Sequence, residues 1–124
     1  MLSGEDVLLT VYRAFNARDI EPVLAAMHPD VDWPNGWEGG RIHGRDAVRE
    51  YWMRQWSVIN PRVEPLRFHP DDSNRIIVDV HALVHNKNDE IIADEIIQHI
   101  YIIEEGLIRS MEIRKPKVSS PAAR

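Results

Sequence analysis

The sequence predicts a single α+β domain, with helices in its first half and strands in its second. Three observations carry this. Apolar residues recur at helical spacing as far as Ile59, and from Arg62 onward they alternate in long β-branched runs. Asn60-Pro61 ends the helical part, and turn-forming strings separate the later runs: Pro70-Asp71-Asp72-Ser73-Asn74, Asn86-Lys87-Asn88-Asp89 and Glu104-Glu105-Gly106. A chain of 124 residues is one domain by length and large enough to bury a core. Residues 1–114 are read as that domain. Residues 115–124, KPKVSSPAAR, are read as a fraying tail.

Val7, Leu8, Val11, Tyr12 and Phe15 define a first helix, with Ser3 and Asp6 as a capping pair before it. Asn16-Ala17-Arg18 turns the chain, and Asp19 caps a second, short helix. In that helix Ile20, Val23, Leu24 and Met27 share a face, and Pro22 falls in the first turn, where a missing N–H costs little. His28-Pro29 ends it. Val31 to Trp33 is a short strand, and a third helix begins near Arg45 with Val48, Trp52, Trp56 and Ile59 as its buried stripe. Four long strands follow, over 62–69, 76–85, 91–103 and 107–114.

Strand parity assigns the faces. Ile76, Val78, Val80, Ala82 and Val84 form one aliphatic face, which needs a dry neighbour. Ile77, Asp79, His81, Leu83 and His85 form the other, whose acid and histidines need partners or a wet cavity. In the next strand Ile97, His99, Tyr101 and Ile103 lie on one face, and Gln98, Ile100 and Ile102 on the other. A sheet apolar on both faces is covered twice, by helices on one side and by a partner subunit on the other.

Composition narrows the function. The net charge of −5, with acids and bases mixed along the chain, argues against a phosphate-binding face and hence against nucleic acid. Zero cysteines remove disulfides, thiolate chemistry and cysteine-based zinc sites, and suit a reducing cytoplasm. MLSGEDVLL has no basic segment followed by a long apolar run, and no uncharged apolar stretch approaches ~20 residues, so neither a signal peptide nor a membrane span is expected. His81 and His85 stand roughly 13 Å apart along a strand, too far for one ion. The two His-Pro-Asp tripeptides, at 28–30 and 69–71, read as a helix stop and a turn. No metal or cofactor is expected.

The strings FNARDIEPVLAAMHPDVDW, IHGRDAVREYW and QHIYIIEEGLIRSMEI, in this order, resemble the nuclear transport factor 2-like superfamily, particularly its SnoaL-like and ketosteroid isomerase-like branches. The resemblance runs from about Val7 to Ile113. It implies a cone-shaped, curled antiparallel sheet wrapped by three helices (a cystatin-like α+β barrel), a ligand cavity at the open end, and a homodimer through the outer sheet face. It also implies which catalytic positions are filled. The general base of the isomerases falls on Asn35, and their oxyanion-hole tyrosine falls on Val11. Tyr12, one residue away, is expected to point elsewhere. Their protonated acid falls on His99. The limonene epoxide hydrolase branch would place its water-positioning Tyr-x-Asn on Trp33-Pro34-Asn35 and one catalytic aspartate near Asp79, with Ile77 and Ile113 at its paired arginine and second aspartate. SnoaL-type cyclases match at His99 but want an acid in the last strand, where Glu112 falls on the face opposite Ile113.

The expected cavity therefore bears Trp33, Asn35, Asp79, His81, His99 and Tyr101, with Trp37 on its rim and the Trp52 and Trp56 rings as ligand contacts. If the chain is an enzyme, His99 is the proton donor or acceptor, Asp79 orients it, and Asn35 positions substrate or water. That points to metal-free isomerisation, cyclisation or hydrolysis of a small, partly apolar organic molecule. The alternative is a non-catalytic binding or accessory protein reusing the same cone.

Overall fold

A computed structural model describes residues 3–36, 38–71 and 74–115. Its elements are α1 (Gly4–Asn16), α2 (Ile20–Ala25), β1 (Met27–Pro34), β2 (Arg41–His43), α3 (Arg45–Val58), β3 (Ile59–Pro70), β4 (Arg75–Asn86), β5 (Ile91–Glu104) and β6 (Leu107–Arg114). The strands form one curled, open sheet in the order β2-β1-β6-β5-β4-β3. Trp37 and residues 116–124, the expected rim contact and most of the expected tail, lie outside the described residues. Among the described residues no helix is long and apolar enough to cross a membrane.

Local signals set the helix ends. Ser3 and Asp6 close a full capping box: Ser3 Oγ accepts from the Asp6 N–H at 3.1 Å and Asp6 Oδ2 accepts from the Ser3 N–H at 3.4 Å. Asp19 occupies the N-cap position of α2 but makes no side-chain capping bond, contrary to expectation. That helix also stops at Ala25, two residues early, and Met27 opens β1 as a fully buried strand residue. Gly44 starts α3 at φ +88°, a conformation that L side chains rarely adopt. Glu105 and Gly106, both at positive φ, give the β5–β6 hairpin the primed turn that matches strand twist.

The sheet departs from the expected antiparallel meander at one edge. β1 pairs with β6 in parallel, through Met27↔Ile108 and Asp32↔Ser110, because these strands are joined through the rest of the domain and not by a hairpin. The three-residue β2, unforeseen because it is too short for an alternation signal, pairs with β1 and turns the chain into α3.

On the concave face Val78, Val80, Ile97, Tyr101, Ile108 and Met111 pack against Leu8, Val11 and Tyr12 of α1 and Val48, Tyr51 and Trp52 of α3. The aliphatic face of β4 is thus the dry one, as parity requires.

Asn16 docks the end of α1 onto β3. Its amide donates to the Val63 carbonyl at 2.7 Å and accepts from the Val63 N–H at 2.9 Å. Asn16→Ala leaves both backbone groups of Val63 without their partner and should destabilise the fold by about 1 to 2 kcal/mol. Urea unfolding should show a lowered midpoint with an unchanged slope.

Candidate functional site: an aromatic cavity with a buried histidine

A cavity of about 840 Å³ opens between the concave sheet face and helices α1 and α3. A continuous aromatic belt forms one wall. Phe15 meets Trp52 edge-on at 5.2 Å, Trp52 meets Trp33 at 5.6 Å, and Trp33 leans on Tyr101 at 6.4 Å. Edge-to-face packing lets each ring brace the next without filling the space they enclose.

At the floor, three polar side chains satisfy one another. Tyr101 Oη donates to Tyr12 Oη at 2.9 Å, and Tyr12 Oη lies 2.8 Å from His99 Nδ1. All three residues are buried. Each hydroxyl carries one proton. With Tyr101 donating to Tyr12, the Tyr12 proton goes to Nδ1, and the ring proton of a neutral His99 sits on Nε2. Nε2 has no partner among the described residues, so His99 offers one N–H to the cavity it lines. Burial lowers the His99 pKa to about 4, which keeps the ring uncharged at neutral pH. Burial likewise raises the pKa of both tyrosines, which stay protonated.

The structure brings together only some of the residues the sequence proposed. Trp33, Trp52, His99 and Tyr101 line the cavity. Asp79 does not reach His99. Register pairs Val78 with His99 and Asp79 with Gln98, so Asp79 emerges on the convex face. There it accepts from Gln98 Nε2 at 2.9 Å and lies 2.8 Å from His69 Nε2, contacts that hold its pKa below the usual carboxylate value. His81 shares that face and lies 2.6 Å from Asp94. Asn35 is buried, but both ends of its amide serve the β1–β2 turn: Oδ1 accepts from the Glu38 N–H at 2.7 Å and Nδ2 donates to Glu38 Oε1 at 2.9 Å. Trp56 stands behind the wall, 5.4 Å from Phe15 and 5.9 Å from Trp52, with the Arg18 guanidinium 5.2 Å over its ring.

Sequence reasoning missed Tyr12, which points at His99 and not away from it. It also missed Tyr51 and Gln55, which join Trp52 on the cavity face of α3, with Gln55 Nε2 donating to Tyr51 Oη at 3.1 Å. Glu95 was legible but unread, since period-two alternation puts it on the face of Ile97 and His99. It lines the cavity and pairs with Lys115 at 3.2 Å. In the last strand Ile113 lies opposite His99 and Glu112 opposite Ile100, the parity expected for both.

Comparison with known proteins fits this architecture. The SnoaL-like domain model matches residues 8–111. No curated protein matches the chain. Among solved structures, an NTF2-like protein of unknown function from Burkholderia pseudomallei is 28% identical, with 93% of this chain and 92% of that one covered at a TM-score of 0.80. TerC, co-crystallized with polyporic acid, is 27% identical over 94% of this chain and 93% of its own, also at 0.80. A Mycobacterium tuberculosis protein in complex with estradiol-17beta-hemisuccinate is 20% identical over 86% and 88%, at 0.76, and shares the fold.

The buried imidazole gives stability a pH dependence. The His99 pKa is depressed from 6.5 unfolded to about 4 folded, so the unfolded chain binds the extra proton between those values. This contribution is complete above about pH 6.5 and is lost as pH falls toward 4. It amounts to roughly 3 kcal/mol. Urea unfolding at pH 7 and pH 4.5 should therefore show a larger stability loss for the wild type than for His99→Gln.

Proposed function

We propose, from the premise that the chain belongs to the SnoaL-like domain family, that it binds a small, partly apolar organic molecule in this cavity and hydrogen-bonds an acceptor oxygen of that molecule through His99. The feature that carries the reading is the floor of the cavity: a buried histidine whose Nδ1 lies against Tyr12, which leaves Nε2 as the ring nitrogen free to donate beside an aromatic wall. Such a donor suits a carbonyl or enol oxygen on a flat apolar body, because the belt supplies ring faces and edges while Nε2–H supplies direction. The related TerC and the Mycobacterium tuberculosis protein, each solved with a small organic molecule, support the choice of ligand class.

With Asp79 on the other face, no carboxylate among the described residues hydrogen-bonds His99 to orient it as a proton shuttle. A preorganised neutral imidazole polarises a carbonyl oxygen that accepts from it, which favours recognition of such a group.

Acetylnaphthalene, a flat ketone, tests the binding reading by quenching tryptophan fluorescence. The wild type should saturate, and His99→Phe should bind about tenfold more weakly, the loss of one directed hydrogen bond. Equal affinity in the two proteins would remove His99 from recognition.

We also propose that the domain works as a homodimer through its convex sheet face. Ile100 and Ile102, the residues first expected there, are largely covered within the chain, whereas Leu66 and Ile96 stand 56% and 52% exposed. Exposed aliphatic side chains on a sheet face suit a second copy. Sedimentation should give about twice the 14.4 kDa chain mass, and Ile96→Glu should shift it to the monomer value.

A further inference from the structure

The charges around the cavity are segregated. Its floor carries none, since His99, Tyr12 and Tyr101 are neutral and buried. Ionisable residues appear only toward solvent, where Arg41, Arg75 and Lys115 stand with Glu95, and Arg114 and Glu112 mark the rim where the lining passes to the convex face. Three of these cations are engaged by groups outside the cavity lining or by backbone. Arg41 holds Asp32 and the Met111 carbonyl, Arg75 holds Asp71, and Arg114 holds the Gln98 side chain. Lys115 differs: its described partner is Glu95, itself a cavity residue, and its side chain is 69% exposed.

We propose that the ligand is an elongated amphiphilic acid, entering with a neutral oxygen-bearing end toward His99 and leaving its carboxylate at the mouth, where Lys115 exchanges Glu95 for it. This rests on the ligand-binding reading above and adds chemical class and orientation to it. An unpaired carboxylate forced onto the uncharged aromatic floor would lose its hydration without compensation, so the charged end stays outside. Length follows from the strand. Glu95 and His99 lie on one face of β5, four residues and therefore roughly 13 Å apart, a span that two fused rings with a substituent at each end bridge.

The Glu95–Lys115 pair makes the test directional, because removing either partner breaks the same bond. The probes are acetylnaphthoic acid, with its acetyl and carboxyl groups on opposite rings, and its methyl ester, each titrated against tryptophan fluorescence. The wild type should prefer the acid by about fivefold, the scale of one partly exposed ion pair. Lys115→Gln should abolish or invert that preference, because Glu95 then faces the incoming carboxylate alone. Glu95→Gln should widen it, because Lys115 is freed. The ester should bind all three proteins alike. A preference that moves in the same direction in both variants, or that survives Lys115→Gln, would overturn the proposal, as would equal binding of acid and ester to the wild type. Binding of acetylnaphthalene alongside any of these results leaves the broader reading standing. Failure of acetylnaphthalene, the acid and the ester alike to bind overturns both.

Discussion

The hydrogen-bond chain from Tyr101 through Tyr12 to His99 joins the middle of β5 to the first helix across the floor of the cavity. Each of its three polar groups is buried, and each alone would be destabilising. Together they are satisfied, and the fold gains a fixed distance between α1 and the sheet. That distance keeps the cavity from closing. The same chain occupies His99 Nδ1, with Tyr12 Oη at 2.8 Å and Tyr101 Oη at 3.4 Å, and leaves Nε2 as the nitrogen a ligand can meet. Stability and chemistry here share one set of atoms, so a substitution in Tyr12 or Tyr101 would be felt in both.

The β4–β5 register decides which chemistry reaches that floor. A one-residue slip of β4 against β5 would pair Asp79 with His99 and place the acid and the histidine on one face. In the observed register the convex face carries its own polar ladder across four strands: His69 beside Asp79, Gln98 donating to Asp79, and Arg114 donating to Gln98. Asp79 is therefore fully engaged where it stands. The concave face keeps the aliphatic residues, the tyrosine and the histidine. A histidine flanked by tyrosines and not by a carboxylate is a donor to an acceptor oxygen before it is a base.

What was legible in the sequence was local. The Ser3–Asp6 cap, the Glu105-Gly106 turn, the three helices and the faces of β4 and β5 each follow from residues within a few positions of one another. The parallel β1–β6 pairing was not legible, because it joins segments about 80 residues apart and leaves no periodic trace. Helix phase was the second weak point: one residue is about 100° on a helix, enough to place Tyr12 away from the cavity when it points into it. Asn35 failed for a third reason. An amide suited to positioning water is equally suited to closing a turn, and the glycine-rich segment after it supplied Glu38 as the nearer partner.

An aromatic-lined space of this volume in a small domain forgoes burial that a packed core would have used. It stays open because its walls are rigid and propped from behind. Phe15, Trp52 and Trp33 have few rotamers and brace one another edge to face. Outside them Trp56 stacks on Trp52, and Arg18 lies over both Trp56 and Phe15. Arg18 holds this post from a left-handed backbone position, φ 62°, while its guanidinium donates to the Pro61 carbonyl at 2.6 Å and to the Asn60 side chain. Trp56 Nε1 is buried without a partner among the described residues, so the ring is kept for its flat body and not for its hydrogen bond. Walls built this way do not wait for a ligand to shape them. A pre-formed site spends little ordering entropy on binding, so even one hydrogen bond to His99 would register as affinity.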